Sequence, residues 1–367
     1  MKIKMSFLGA LLFCSASLQA QTDYGIMRME EFAYPAKRQH VNIPNVDGFQ
    51  VLKCDFHMHT VFTDGHVWPN VRVQEAWREG VDVISYTEHM EYNPFHADVK
   101  VDHNRSHELA VNLAKENNIG LIKGTEITRK TPPGHFNALF IEDANKLVSD
   151  NDSKLDQEAI DRAIAQNAFI FWNHPGWQVN KIPGSYEWID FVEKMYQEKK
   201  LHGIEVVNGL GFHKKALDWA LDRHDYNTGQ EGIHRTMTLV MAKDKSAASI
   251  REALDAGRTV AWSSKYLFGK EENVRSLVNA CIEVTPAYHE KKNATTNEIT
   301  NYYEVKNNSA LYFELILKKG DGTQRLVLYP ESTQILTAQA GQTKLSYEIV
   351  STFVRSDRHL QFDITLN

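Results

Sequence analysis

Apolar positions along the chain fall into two regimes. From residue 50 to about 262, short apolar runs alternate with stretches in which apolar residues recur every three to four positions, the rhythm of strands followed by amphipathic helices. The strand runs are Val51 to Phe56, Val81 to Tyr86, Gly120 to Gly124, Phe136 to Ile141, Phe169 to Trp172, Gly203 to Val207 and Thr236 to Met241. Helical spacing covers Val71 to Glu79, His107 to Asn117, Leu155 to Gln166, Trp188 to Lys199, Phe212 to Asp222 and Ala247 to Ala256. This alternation predicts a parallel sheet of βα units. Seven strands in about 210 residues suit a (β/α) barrel better than an open sheet.

The last hundred residues keep a different rhythm. Phe313, Leu315 and Leu317, then Leu345, Tyr347 and Ile349, then Leu360, Phe362, Ile364 and Leu366 alternate with polar residues, and Gly320-Asp321-Gly322 reads as a turn. Period two with one wet face means antiparallel strands. The expected organisation is a barrel over 45–264 and a small β-sandwich over 275–367. Every candidate ligand named below precedes Ser264, so a chain ending there is expected to keep the site.

Residues 1–20 combine Lys2 and Lys4, an apolar stretch from Met5 to Leu18, and Gln19-Ala20 at the cut, the make-up of a secretory signal peptide. Export to the periplasm or beyond is therefore expected, with 21–44 as an N-terminal extension. Cys14 raises a lipoprotein reading, against which bulky Phe13 argues. No other stretch approaches membrane-spanning length. Cys54 and Cys281 lack the paired spacing of a thiolate zinc site. With a net charge of -6 and no basic stripe, non-specific nucleic-acid binding is not expected.

Candidate chemistry begins in Cys54-Asp55-Phe56-His57-Met58-His59-Thr60-Val61-Phe62-Thr63-Asp64-Gly65. On a strand, residues i and i+2 share a face, so His57 and His59 can grip one cation, and Asp64 in a Thr-Asp-Gly turn can fold back as a third ligand. Glu88 and His89 end the second strand, Glu126 the third and His174 the fifth, where βα barrels place their active sites. His135 opens the fourth run instead of ending it. It fits only if that strand runs against the others or the preceding loop carries it. A lone histidine at a strand end is usually structural, but this many at successive ends describe a metal site. Imidazole with carboxylate suits Zn, Mn or Fe, and Glu126 between two clusters is a natural bridge.

The run Asp55 to Gly65, Thr87-Glu88-His89, Gly124-Thr125-Glu126, Gly134-His135 and Asn173-His174-Pro175 resemble the successive motifs of the PHP (polymerase and histidinol phosphatase) family. The likeness is greatest to an exported bacterial phosphodiesterase branch with a C-terminal β domain. It covers about residues 40 to 262 strongly and the tail weakly. It implies a distorted TIM-like (β/α)7 barrel, two or three divalent metal ions at the strand ends, and hydrolysis of phosphate esters. By that resemblance His57, His59, Asp64, His89, Glu126, His135 and His174 would be metal ligands. The family's late Asp-x-His strand has no counterpart of its kind here. Asp222-Arg223-His224 spells the motif, but Phe212, Ala216, Leu217, Ala220 and Leu221 upstream form a helical stripe. Residues i and i+2 of a helix point about 200° apart. Asp222 and His224 are therefore ligands only if the helix ends before them; otherwise the chain lacks that strand.

Glu126 and His174, with Arg129 and Arg235 as clamps for a phosphate, are the candidate catalytic residues. Surface solvation is the plain alternative for both arginines and for Lys130. Glu205, an acid inside an apolar run, is expected to face the mouth and support a ligand. The reading is an exported hydrolase of a small phosphate ester, a diester rather than a monoester, with metals bridged by Glu126 activating water. Two rivals are a metal- or phosphate/carbohydrate-binding relative without turnover, and an amidohydrolase, which usually needs a bridging lysine. Lys123 is the nearest candidate but is three residues from an inward Glu126, and so points away.

Overall fold

The structure, a computed structural model, describes residues 37–148, 155–209, 211–223, 235–319 and 322–366. The expected signal peptide, Cys14, most of the 21–44 extension, His224 and His234 lie outside the described residues. In chain order the elements of the first part are β1 (Gln50–Met58), α1 (Pro69–Arg78), β2 (Val83–Tyr86), α2 (Arg105–Glu116), β3 (Gly120–Ile127), β4 (Phe136–Leu139), α3 (Leu155–Ala165), β5 (Phe169–Trp172), α4 (Asp190–Gln197), β6 (Gly203–Ile204), β7 (Val207–Asn208), β8 (Gly211–Phe212), α5 (Lys214–Arg223), β9 (Met237–Ala242), α6 (Ala247–Asp255), β10 (Thr259–Ser263), β11 (Tyr266–Gly269) and α7 (Glu271–Cys281). The second part holds β12 (Ile282–Val284), β13 (His289–Lys292), β14 (Ile299–Asn307), β15 (Phe313–Lys319), β16 (Gly322–Leu328), β17 (Thr333–Gln339), β18 (Lys344–Ile349), β19 (Thr352–Phe353) and β20 (Leu360–Thr365).

The seven expected strands lie in a ten-stranded sheet, joined by the unexpected β10, β11 and β19, in the order β19-β11-β10-β9-β1-β2-β3-β4-β5-β6. Its middle is parallel from β1 to β3, but β4 runs against both β3 and β5, and β9 runs against both β1 and β10. At β4 the all-parallel expectation fails because the chain is too short for a crossover. Between Ile127 and Phe136 there is no helix, and a parallel neighbour needs a dozen or more connecting residues. The expected distorted TIM-like (β/α)7 barrel is met as a curled sheet in a mixed α/β architecture. The sheet curls, but among the described residues no pairing joins its ends, β6 and β19. The run Gly203 to Val207 breaks at Glu205 into β6 and β7, and β7 turns back onto β8 as a short hairpin.

The C-terminal part has two four-stranded sheets, β12-β14-β13 with β17 on β14, and β16-β15-β18-β20. Alternate burial along β20 matches its alternating sequence. This β domain is not tethered at a distance. Val274, Leu277, Val278 and Cys281 of α7 share one core with Val51, Leu239 and Met241 of the curled sheet and with Val305, Phe313, Leu315, Tyr347 and Ile349. β19 pairs in parallel with β11, so the second part supplies a strand of the first part's sheet. Residues 265–274, between the two expected domains, form β11 and the start of α7. Cys54 and Cys281 are free and buried in separate cores. No helix among the described residues is long and apolar enough to cross a membrane.

Candidate metal centre

The arrangement of β1 decides where its histidines point. Leu52, Cys54 and Phe56 share a core with Val240 and Phe171, whereas Met58 packs with Ile84, Tyr86 and α1 on the opposite face. Strict alternation from Cys54 would have put His57 with Met58's partners. Between Asp55 and Met58 the register against β2 slips by a residue, a bulge that re-aims the side chains. Asp55 stays outside while His57 and His59 both turn inward, as their spacing predicted.

Glu126, fully buried on β3, is where they converge. Its Oε2 lies 3.6 Å from His57 Nε2, 3.3 Å from His59 Nε2 and 3.0 Å from His89 Nδ1. Its Oε1 accepts from His135 Nδ1 at 2.9 Å and Asn173 Nδ2 at 2.8 Å, with His174 Nε2 3.8 Å away. Antiparallel β4 begins at this end of the sheet, which places His135 in the cluster. Asp64 reaches it from the Thr60–Gly65 turn, its oxygens 3.8 Å from His59 Nδ1 and 3.4 Å from His89 Nε2. A Cβ on Gly65 would collide with the His59 backbone, so only glycine lets this turn close.

Buried polar side chains brace the ligands. Glu205 accepts from His57 Nδ1 at 3.0 Å, from the His174 backbone N–H at 2.7 Å and from Asn208 Nδ2 at 3.2 Å. Glu88 accepts from Thr60 Oγ1 at 2.5 Å, from the Thr60 N–H at 3.2 Å and from the Thr63 hydroxyl, which ties down the turn that carries Asp64. His89 Nδ1 hydrogen-bonds Thr128 Oγ1 at 2.7 Å. The sequence reading gave no role to Glu88 or Asn173. Both adjoin a candidate histidine, and that adjacency was the available signal.

Electrostatically the cluster is divided. Burial alone would raise Glu126, but the charges of His89 and His57 outweigh it and hold the carboxyl well below its ordinary range. Burial opposes charge on His57 too, yet Glu205 and Glu126 raise it well above the usual imidazole value. His89, burial notwithstanding, is lifted to about 10, chiefly by Glu126. His59 is lowered to about 3 by burial and by the neighbouring His89 charge, and burial also lowers His174. Asp64 is drawn down to about 2 by His89 and His59 against the effect of burial.

These residues fit a cation. Glu126 Oε2, His59 Nδ1 and His174 Nδ1 are buried without a hydrogen-bond partner, in a protein interior where such atoms are normally paired. Among the described residues, three overlapping triplets offer ligand atoms within 4.8 Å of one another: His57, His59 and Glu126; His59, Asp64 and His89; His89, Glu126 and His135. His59, His89 and Glu126 each belong to two triplets, as residues between adjacent ions would.

Two candidate residues lie elsewhere. Arg235 sits outside the sheet, paired with Asp55 Oδ2 at 2.5 Å and with Glu79, because antiparallel β9 brings its start beside the outward Asp55. It is no phosphate clamp. Asp222 is still on α5, exposed and paired with Arg355, so the helix does not end in time to turn it into the cluster. Arg129 does line the mouth, paired with Glu91. Lys123 points away, its Nζ donating to the Glu142 carbonyl at 2.9 Å. The mouth opens into a cavity of about 1460 Å³.

Comparison with solved structures gives a match to a two-domain protein from Bacteroides vulgatus ATCC 8482 containing a predicted PHP-like metal-dependent phosphoesterase. The match has 37% identity and a TM-score of 0.81 over 90% of this chain and 99% of that one. A candidate metal-dependent phosphoesterase from Bifidobacterium adolescentis ATCC 15703 aligns at 14% identity over 63% of this chain and 97% of its own, with a TM-score of 0.38. An amidohydrolase from Chromobacterium violaceum with bound sulfate and no metal aligns at 13% identity over 49% and 87%, with a TM-score of 0.35. Likeness at those two scores carries no argument. A family described as an Ig-like domain matches residues 282–365. No curated protein matches the chain.

Proposed function

This chain belongs to the family of two-domain PHP-like metal-dependent phosphoesterases, and on that premise we propose that it hydrolyses phosphate esters, diesters in preference to monoesters, with two or three divalent ions (Zn, Mn or Fe) held at the end of the curled sheet. The observation that carries the reading is the division of Glu126, whose two oxygens face different sets of imidazoles. Ions bound there would act as Lewis acids on the ester and lower the pKa of water.

The chain's own residues prepare that chemistry. Glu205 accepts from His57 Nδ1 and keeps the proton there, so that Nε2, on the Glu126 side, is the nitrogen that would give up its proton and ligate a bound cation. Asn173 fixes the Glu126 carboxylate, and Glu88 fixes the turn that brings Asp64. Arg129 and Arg72 on the wall face Glu91 and Glu75, which reduces the positive field available to a dianion and suits the single charge of a diester. The pattern of residues 1–20 supports export.

The test is metal analysis of the purified full chain together with turnover of bis(p-nitrophenyl) phosphate and p-nitrophenyl phosphate. The diester is expected to turn over faster, and His57→Ala and His59→Ala should each lose most of the metal and nearly all turnover while remaining folded. Bound metal with no turnover of either ester would favour the non-catalytic binding protein. That rival draws support from the position of Asp222, which leaves the described residues without an Asp-x-His pair at the site.

A further inference from the structure

Resting on the phosphoesterase reading, we infer that Trp177, with Tyr92 across the mouth, is a stacking platform that selects phosphoesters carrying a ring, a sugar or a nucleobase, next to the phosphate. The cavity, about 1460 Å³, exceeds the roughly 300–1,000 Å³ of ordinary small-molecule pockets and far exceeds a phosphate group. The mouth therefore has room for a body beside the phosphate.

The wall facing that body is aromatic. Trp177 is 49% exposed and Tyr92 50%, and both line the cavity. The Trp177 ring lies 5.4 Å from His174 and 5.8 Å from His135, on the side of Glu126 Oε1. Tyr92 lies 5.6 Å from His89, on the side of Oε2. Each ring thus lies beside candidate ligands while about half of it stays exposed. A ring attached to a phosphate held at Glu126 would extend over one of these faces, where flat apolar groups stack.

The platform is built rigidly. The Trp177 N–H donates to the His174 carbonyl at 3.1 Å and the Val179 N–H to that of Gly176 at 2.9 Å, so the tryptophan sits in a tight turn directly after a candidate ligand. Gly176 has φ +81°, and a Cβ there would overlap the Tyr186 ring, so the turn is held against a fixed neighbour. Gln178, next to Trp177 on the lining, adds an amide that can bond a hydroxyl or a base edge.

The experiment titrates the metal-loaded full chain, wild type and Trp177→Ala, with inorganic phosphate, glycerol 3-phosphate, glucose 6-phosphate and adenosine 5'-monophosphate, following heat. Wild type should bind at least one ring-bearing ligand about ten times more tightly than glycerol 3-phosphate. The variant should lose that ratio, and Trp177→Phe should restore most of it. Whether glucose 6-phosphate or the nucleotide shows the margin identifies the ring. Equal ratios in wild type and Trp177→Ala would overturn the inference, as would an equal loss for glycerol 3-phosphate, which would make Trp177 merely structural. Binding of none of the four ligands by a wild type that still turns over bis(p-nitrophenyl) phosphate would overturn this inference alone, whereas failure both to bind them and to turn over that diester would overturn the phosphoesterase reading, and this inference with it.

Discussion

Replacing Glu205 by Gln tests the bracing of the site without changing its shape. The carboxylate is fully buried and accepts from two groups that cannot both be served by an amide, His57 Nδ1 through Oε1 and the His174 N–H through Oε2. If the amide oxygen keeps the His174 N–H, its NH2 meets His57 Nδ1. That nitrogen must then give up its proton to Nε2, the atom facing Glu126, and a protonated Nε2 cannot ligate. If the oxygen keeps His57, the NH2 confronts the His174 N–H. Either way one hydrogen bond to a charged group is lost, worth about 1.5–3 kcal/mol. Partners of ligating histidines typically change metal affinity by about 10–100-fold, or roughly 1.4–2.7 kcal/mol, in the same range. Competition against a chelator of known affinity should show a loss of that size in Glu205→Gln, with turnover partly restored by excess metal. Affinity within about threefold of wild type would refute the claim that Glu205 sets the His57 tautomer.

Other outcomes follow from the same geometry. At pH 7 the metal-free site holds His57 and His89 charged, so metal binding should release protons, seen as a buffer-dependent heat, and affinity should rise with pH toward about 10; buffer-independent heat would contradict the raised values. For the metal-free protein, the stability due to His89 is fully present below its ordinary value of about 6.5 and lost as pH rises through about 10, which a pH series of thermal melts would show. Asp222→Ala should leave metal content unchanged and alter stability by no more than about 0.5 kcal/mol, since it breaks only an exposed pair with Arg355; loss of an ion would restore Asp222 to the site. A chain ending at Ser264, expected from sequence to keep the site, should instead fail to fold, because it loses α7, β11 and β19 and bares Val51, Leu239 and Met241; a soluble truncation with full metal content would show otherwise.

How much of this was legible depended on the range of the interaction. The cluster His57, His59, Asp64, His89, Glu126, His135 and His174 was visible because rare, chemically distinctive residues recur at the ends of apolar runs, and that is a local property of the chain. The C-terminal β domain was visible for a similar reason, since period-two alternation reflects one buried face. Glu205 was visible as a charge in an apolar run, which burial would make costly without partners.

Direction, register and partnership were not local. The bulge that turns His57 inward depends on how β1 meets β2, and the reversal of β9 on its pairing with β1. Arg235 reaches Asp55 across 180 residues of sequence, so nothing beside Arg235 could announce that its charge was already neutralised. The opening of the barrel and the core shared by both parts arise in the same way, from β19 on β11 and α7 between the sheets. Periodicity and residue type determined which segments are strands or helices and which side chains carry chemistry, because backbone geometry imposes those patterns within a few residues. Only the tertiary structure decided which strands run against their neighbours and which charges are already paired, because those outcomes rest on burial and Coulomb energies between segments far apart in the chain.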